Sequence, residues 1–250
     1  MSAASIRNYI LASFGLCLAF LAIPQSAAAQ SISMDLGSGG GFTSSIVQML
    51  GVITILSLAP SILIMVTSFS RIIVVLSMLR SALGLQQTPP NTVMVSLALF
   101  LTMFIMQPVF IEAYDNGIKP LMDEKIKEEE AFVKVAAPFR TFMLAHTREK
   151  DLSLFMGMAH IEQYENPEDT EMRVLIPAFM ISELKRAFEI GFLIFIPFLI
   201  IDMLVASILM AMGMMMLPPV IVSLPFKIIF FVMIDGWYMI AGSLVQSYSQ

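Results

Sequence analysis

Three ionisable residues sit inside long apolar runs of this chain: Asp202 in FLIIDMLVAS, and Lys227 and Asp235 in LPFKIIFFVMIDGW. A charge at the centre of a bilayer costs about 2.5–3.5 kcal/mol even on insertion scales, so such groups face a partner or water. If the chain turns back at Leu217, Asp202 falls at a height between Lys227 and Asp235, and Lys227 can pair with Asp202. Lys227 and Asp235 are about 12 Å apart along one helix, too far to pair directly. The pair fits either a contact that fixes register, within or between subunits, or a proton relay.

A second group is the run Met210, Met212, Met214, Met215 and Met216, just before Pro218 and Pro219. Methionine is flexible and polarizable, so these side chains either fill irregular apolar gaps or deform around a passing polymer. Gly213 loosens the helix there, and the two prolines stop it and make a tight hairpin turn. A third group is Glu183, Lys185 and Arg186: Glu183 with Arg186, and Lys185 with Glu189, have helical pairing distance.

No metal or catalytic motif accompanies them. His146 and His160 are isolated, the one cysteine is Cys17, and no HExxH, GxSxG, phosphate-loop or GxGxxG pattern occurs. Neither an enzyme nor a cofactor is expected. The net charge of −5 without a basic run excludes nucleic acid as a natural partner. Charged residues make up 13% of the 250 residues, about half the usual soluble fraction, which makes lipid the expected solvent.

The positioning elements follow from the apolar pattern. Arg7, the apolar run Ile10–Ile23 and Ala27-Ala28-Ala29 read as a secretory signal cleaved between Ala29 and Gln30. Residues 30–45, including GSGGGFTSS, read as a flexible mature N-terminus. A first apolar helix pair is expected over 46–111. Its first stretch, 46–85, would be about 60 Å long as one helix, twice the hydrocarbon core, so a kink is expected at Pro60. Arg71 and Arg80 mark its exit from the apolar zone, QQTPPN is a turn, and Gln107-Pro108 marks a kink or fray in the second span. Residues 112–189 form a polar, mainly helical segment, with YENPEDTE (164–171) as a loop. A second apolar hairpin is expected over 190–250, with a third span interrupted at Pro197 and a fourth from Val220 to Val245. The fold class is all-α, membrane-associated helical hairpins with a polar helical segment between the second and third spans. Counting from a cleaved signal puts the polar segment in the periplasm and the Met-Pro turn at the cytoplasmic end.

Three stretches carry a resemblance: TSFSRIIVVLSMLRSALGLQQTPPN (67–91), FLIIDMLVASILMAMGMMMLPP (198–219) and LPFKIIFFVMIDGW (224–237), with weaker agreement over 139–155 and 176–192. They resemble the FliP family of type III protein-export gates. The resemblance implies a subunit of the flagellar export gate in the bacterial inner membrane and basal body. It implies a ring of about five copies, completed by one copy of the related R subunit and surrounded by copies of the small Q subunit, together with other export-apparatus and basal-body proteins, conducting unfolded flagellar proteins. It also implies that Met214–Met216 belong to a methionine gasket, and that Arg148 and Glu183 lie near subunit contacts. A raised, cone-like arrangement, partly above the bilayer, is implied for the assembled helices. The residues alone leave open a small-solute transporter or a scaffold.

Overall fold

The computed structural model describes residues 42–161, 170–214 and 217–248. The expectations for the signal, for Ala29 and Gln30, for Met215 and Met216, and for most of the 164–171 loop lie outside those residues. The chain divides into two compact units, 1–55 and 56–250. Of the first, the described part begins helix α1 (Phe42–Met65), where Val47, Leu50 and Val52 are exposed.

Among the described residues of the second unit every regular element is helical: α2 (Phe69–Ala82), α3 (Asn91–Ala113), a π-helical turn (Tyr114–Ile118), α4 (Lys119–Met122), α5 (Glu128–His146), α6 (Glu149–Met158), α7 (Met172–Ala211), α8 (Pro219–Met233) and α9 (Gly236–Gln246). Helix α2 is the centre. Ile72, Val75, Leu76 and Leu79 recur at helical spacing and are essentially inaccessible. One stretch of this face packs with Met94 and Ala98 of α3, Ala187 of α7 and Leu244 of α9. The next packs with Phe198 and Phe231. Gly191 permits the close approach of α7: a Cβ there would lie 2.3 Å from Met78 Sδ.

Several breaks fall elsewhere than the sequence pattern placed them. Helix α1 continues through position 60 to Met65, and the interruption comes at 66–68. There the Thr67 hydroxyl accepts the Phe69 N–H at 3.4 Å, a local side-chain bond that competes with the helical one. Helix α3 runs through Pro108, and the irregularity follows at the π-turn. In that turn a Cβ on Gly117 would lie 2.4 Å from Val135 Cγ2 of α5.

The expected third span and the polar helix before it are one 40-residue helix, α7, with Pro177 and Pro197 inside. A proline costs about 3 kcal/mol in a helix interior, but packing carries most helical stability. Phe198, one residue beyond Pro197, is buried against Phe230 and Phe231. The expected fourth span is instead broken between α8 and α9, bent by 63°. Among the described residues, α7 and the run from α3 to α4 are long and apolar enough to cross a membrane, and α8 with α9 makes a third if taken as one broken span.

The polar layer has its own small core: Met143 of α5, Leu175 and Phe179 of α7, and Val66. Glu128, Glu129 and Glu130 in the first turn of α5 complement the positive end of its dipole.

Candidate functional site

The α7–α8 hairpin carries both the methionine run and an internal ion pair. Helix α7 ends in a Schellman motif. Gly213 adopts φ +75°, its N–H donates to Met210 O at 3.0 Å, and the Met214 N–H donates to Leu209 O at 3.0 Å. The left-handed φ is what glycine allows at low cost, so Gly213 ends the helix rather than merely loosening it. Pro218 then caps α8, and Pro219 is its first residue, where the missing N–H has no helical partner to lose. Met210, Met212 and Met214 are left 59%, 60% and 45% exposed. An apolar groove of about 460 Å³ runs beside them, between Leu204, Ile208 and Met212 on one helix and Val222 and Phe226 on the other.

The structure brings Lys227 and Asp202 together within one chain, with Lys227 Nζ 2.6 Å from Asp202 Oδ2. Two further bonds complete the cluster. The Ser223 hydroxyl donates to Asp202 Oδ1 at 2.5 Å, and Lys227 Nζ donates to Ala82 O at 3.1 Å. Ala82 closes α2, where carbonyls lack helical partners and the dipole favours a cation. Lys227 therefore ties the hairpin to the end of the central helix. Its side chain is 4% exposed and that of Asp202 27%. Asp235 stands apart. It is exposed, has φ +51°, and sits at the α8–α9 break.

Glu183 does not pair with Arg186. Its side chain points inward, fully buried, and meets Arg71 in a two-pronged ion pair, with Arg71 Nε donating to Oε2 at 2.9 Å and Nη2 donating to Oε1. Arg71 is 1% exposed, held inside the fold. Two residues just past α9 close over the pair. The Tyr248 hydroxyl donates to Glu183 Oε2, the Arg71 guanidinium carbon lies 3.8 Å from the Tyr248 ring centroid, and Arg71 Nη1 donates to Ser247 Oγ at 3.0 Å. Burial and the neighbouring carboxylate push the Tyr248 hydroxyl far above its usual pKa, so it stays a donor.

His146 lies in the same cluster, 4.9 Å from the Tyr248 ring and 4.7 Å from Phe142. Burial, with Arg71 and Arg186 nearby, lowers its pKa to about 4, so it is neutral near pH 7. His160 is exposed, at the end of α6.

Arg148 pairs with Asp151 through Nε at 2.7 Å and Nη2 at 2.8 Å. The Ser182 hydroxyl also donates to Asp151, at 2.6 Å, and accepts the Arg148 N–H at 3.1 Å. Burial alone would raise the Asp151 pKa, but these bonds from Ser182 and Arg148 hold it below the usual value. The set pins the start of α6 to α7. Lys185 and Glu189 pair at 3.1 Å on the half-exposed face of α7, a contact worth a few tenths of a kcal/mol. Arg186 is half-buried and lies near His146 and Tyr248.

Sequence reasoning missed Tyr248, Ser247, Ser182 and Ser223. Ser223 stands four residues before Lys227, on the same helix face, which is a usable signal. Nothing in the local sequence marks Tyr248, whose partners lie 65 residues or more away.

The FliP family model matches residues 52–244, which contain the ion-pair clusters described above except for Ser247 and Tyr248. The chain belongs to the FliP family. A relative from Caulobacter vibrioides, "Flagellar biosynthetic protein FliP", is 54% identical over 249 residues, covering 99% of this chain and 94% of the relative. Relatives of the same name from Bacillus subtilis and Agrobacterium fabrum are 56% and 50% identical, over 82% and 92% of this chain and 93% and 96% of theirs. The FliP-family match thus spans the central helix, the polar layer and the hairpin. Among the described residues no cluster of three metal-binding side chains is found.

Proposed function

We propose that this FliP-family chain is a multi-pass inner-membrane subunit of the flagellar protein-export gate. Copies of it, about five to a ring, join the related Q and R subunits and enclose a pore for unfolded flagellar proteins. The methionine-rich loop over 210–216 closes the pore at rest. The flagellar role is supported by relatives named for flagellar biosynthesis, aligned over nearly the whole chain.

The observation that carries the sealing role is the exposure of Met210, Met212 and Met214 at a hairpin end fixed by Gly213 and the two prolines. Unbranched thioether side chains at that end can close against one another and yield to any sequence. In this reading the Lys227–Asp202 cluster holds the hairpin at a set height relative to α2, which places every copy's methionines at one level. The chain supplies no catalytic group in this account; energy enters through partners or the proton gradient.

The test is complementation with assembly control. Deleting the gene should abolish flagellar filaments, and the intact chain should restore them. Purified from membranes, it should run as a complex of several copies with two other small membrane proteins. Filaments without the gene, or a stable monomer from functional membranes, would contradict the reading.

A further inference from the structure

Helix α9 packs thinly along its length and is tied at its far end. Within it Gly236 and Leu244 are the buried residues. Between its middle and α7 a groove of about 320 Å³ opens, lined by Ile190, Leu193 and Ile194 on one side and Met239, Ile240 and Ser243 on the other. The two residues just past the helix make the ties. The Tyr248 hydroxyl donates to Glu183 of α7 and lies 3.5 Å from Ser68 O at the α1–α2 break. The Tyr248 ring carries the Arg71 guanidinium of α2 on one face and stacks on Phe142 of α5 at 5.8 Å. Ser247 Oγ accepts Arg71 Nη1 at 3.0 Å.

Helix α8 has an anchor of its own. Lys227 donates to Ala82 O at the end of α2, and Arg71 lies about 16 Å back along that helix at its rise per residue. The bent α8–α9 unit is therefore fastened to α2 at two points, and the 63° break at Asp235 and Gly236 falls between them. No side-chain bond among the described residues caps α9 at that break. A few residues at an element's end are where a hinge absorbs a change in φ and ψ.

We infer that α9 is a hinged arm, which turns about Asp235 and Gly236 and is strapped closed by Ser247 and Tyr248 on the Arg71–Glu183 pair. The strap opens without orphaning a charge, because Arg71 and Glu183 keep both of their mutual bonds. Opening uncovers the guanidinium face and Arg71 Nη1, which water can satisfy. It also brings water towards the Ser68 hydroxyl, which is buried with no partner among the described residues. Lys227 meanwhile holds α8, and with it the methionine end of the hairpin, in place.

The test uses the full chain in lipid nanodiscs, with Cys17→Ser and spin labels on Phe188→Cys of α7 and Gln246→Cys of α9, both exposed positions. A second pair, Phe100→Cys of α3 with Phe188→Cys, reads the packed body. With the strap intact the α7–α9 pair should give one narrow distance. Ser247→Ala/Tyr248→Ala should add a second, displaced population and raise the ratio of open to closed arms about tenfold or more, the effect of losing a hydrogen bond to a charged group and a cation–π contact. Tyr248→Phe keeps the ring and should raise that ratio less. The α3–α7 distance should hold in every variant. An unchanged α7–α9 distance in the double variant would overturn the inference, because apolar packing would then hold α9 unaided. Broadening of both distances would overturn it as well, because the segment would then be part of the core. Neither distance depends on export, so loss of filaments alone bears on the proposed gate and not on the arm.

Discussion

Removing the Glu183 carboxylate should destabilise this protein more than any surface change. Its carboxylate is fully buried, accepts two N–H bonds from Arg71 and one from the Tyr248 hydroxyl, and joins α2, α7 and the segment after α9. Glu183→Ala leaves a guanidinium that is 1% exposed without its counter-charge. Breaking a buried pair from one side costs about 3–5 kcal/mol, whereas replacing both partners by apolar groups is often near neutral. Arg71→Met should therefore cost a similar amount alone. The double variant Arg71→Met/Glu183→Met should recover most of the loss, giving a coupling energy of about 2 kcal/mol or more. The assay is unfolding by denaturing detergent in mixed micelles at fixed lipid, on both singles and the double. Additive effects, or a loss below about 1 kcal/mol for Glu183→Ala, would refute the view that this pair locks the helices.

Other substitutions test neighbouring parts of the account. Tyr248→Phe removes one donor to a charged acceptor and should cost about 1.5–3 kcal/mol in the same titration. Gly213→Ala puts a side chain at φ +75° and should cost about 1 kcal/mol, while Gly51→Ala should not be strained in this way. His146 has a folded pKa of about 4 against 6.5 unfolded. The unfolded chain therefore binds the proton first, so stability is full above pH 6.5 and is lost as pH falls towards 4. His146→Phe should flatten that part of the stability–pH curve. Gly191→Val should disrupt the α2–α7 contact, and Met78→Ala should relieve part of the damage, since the clash is chiefly with the Met78 side chain.

The helical class, the Met-Pro turn and the closeness of Lys227 to Asp202 were legible because each follows from local pattern. Apolar runs set the helices, consecutive prolines set the turn, and folding back at that turn puts Asp202 at a height between Lys227 and Asp235. The breaks were less legible, because tertiary packing outweighs local propensity. Pro197 sits inside a helix whose next residue, Phe198, is buried, while the real bend falls at Asp235-Gly236, where Phe231 folds over the glycine. The partner of Glu183 was misjudged because helical spacing offered Arg186, and Arg71 is 112 residues away in sequence.

Ion leakage and flagellar export in cells carrying Met210, Met212, Met214, Met215 and Met216 changed to alanine test the central claim most directly. Assembly is checked by the size of the complex on a native gel. The account predicts normal assembly with a leaky membrane. A tight membrane with normal export would contradict it and leave the exposed methionines as packing.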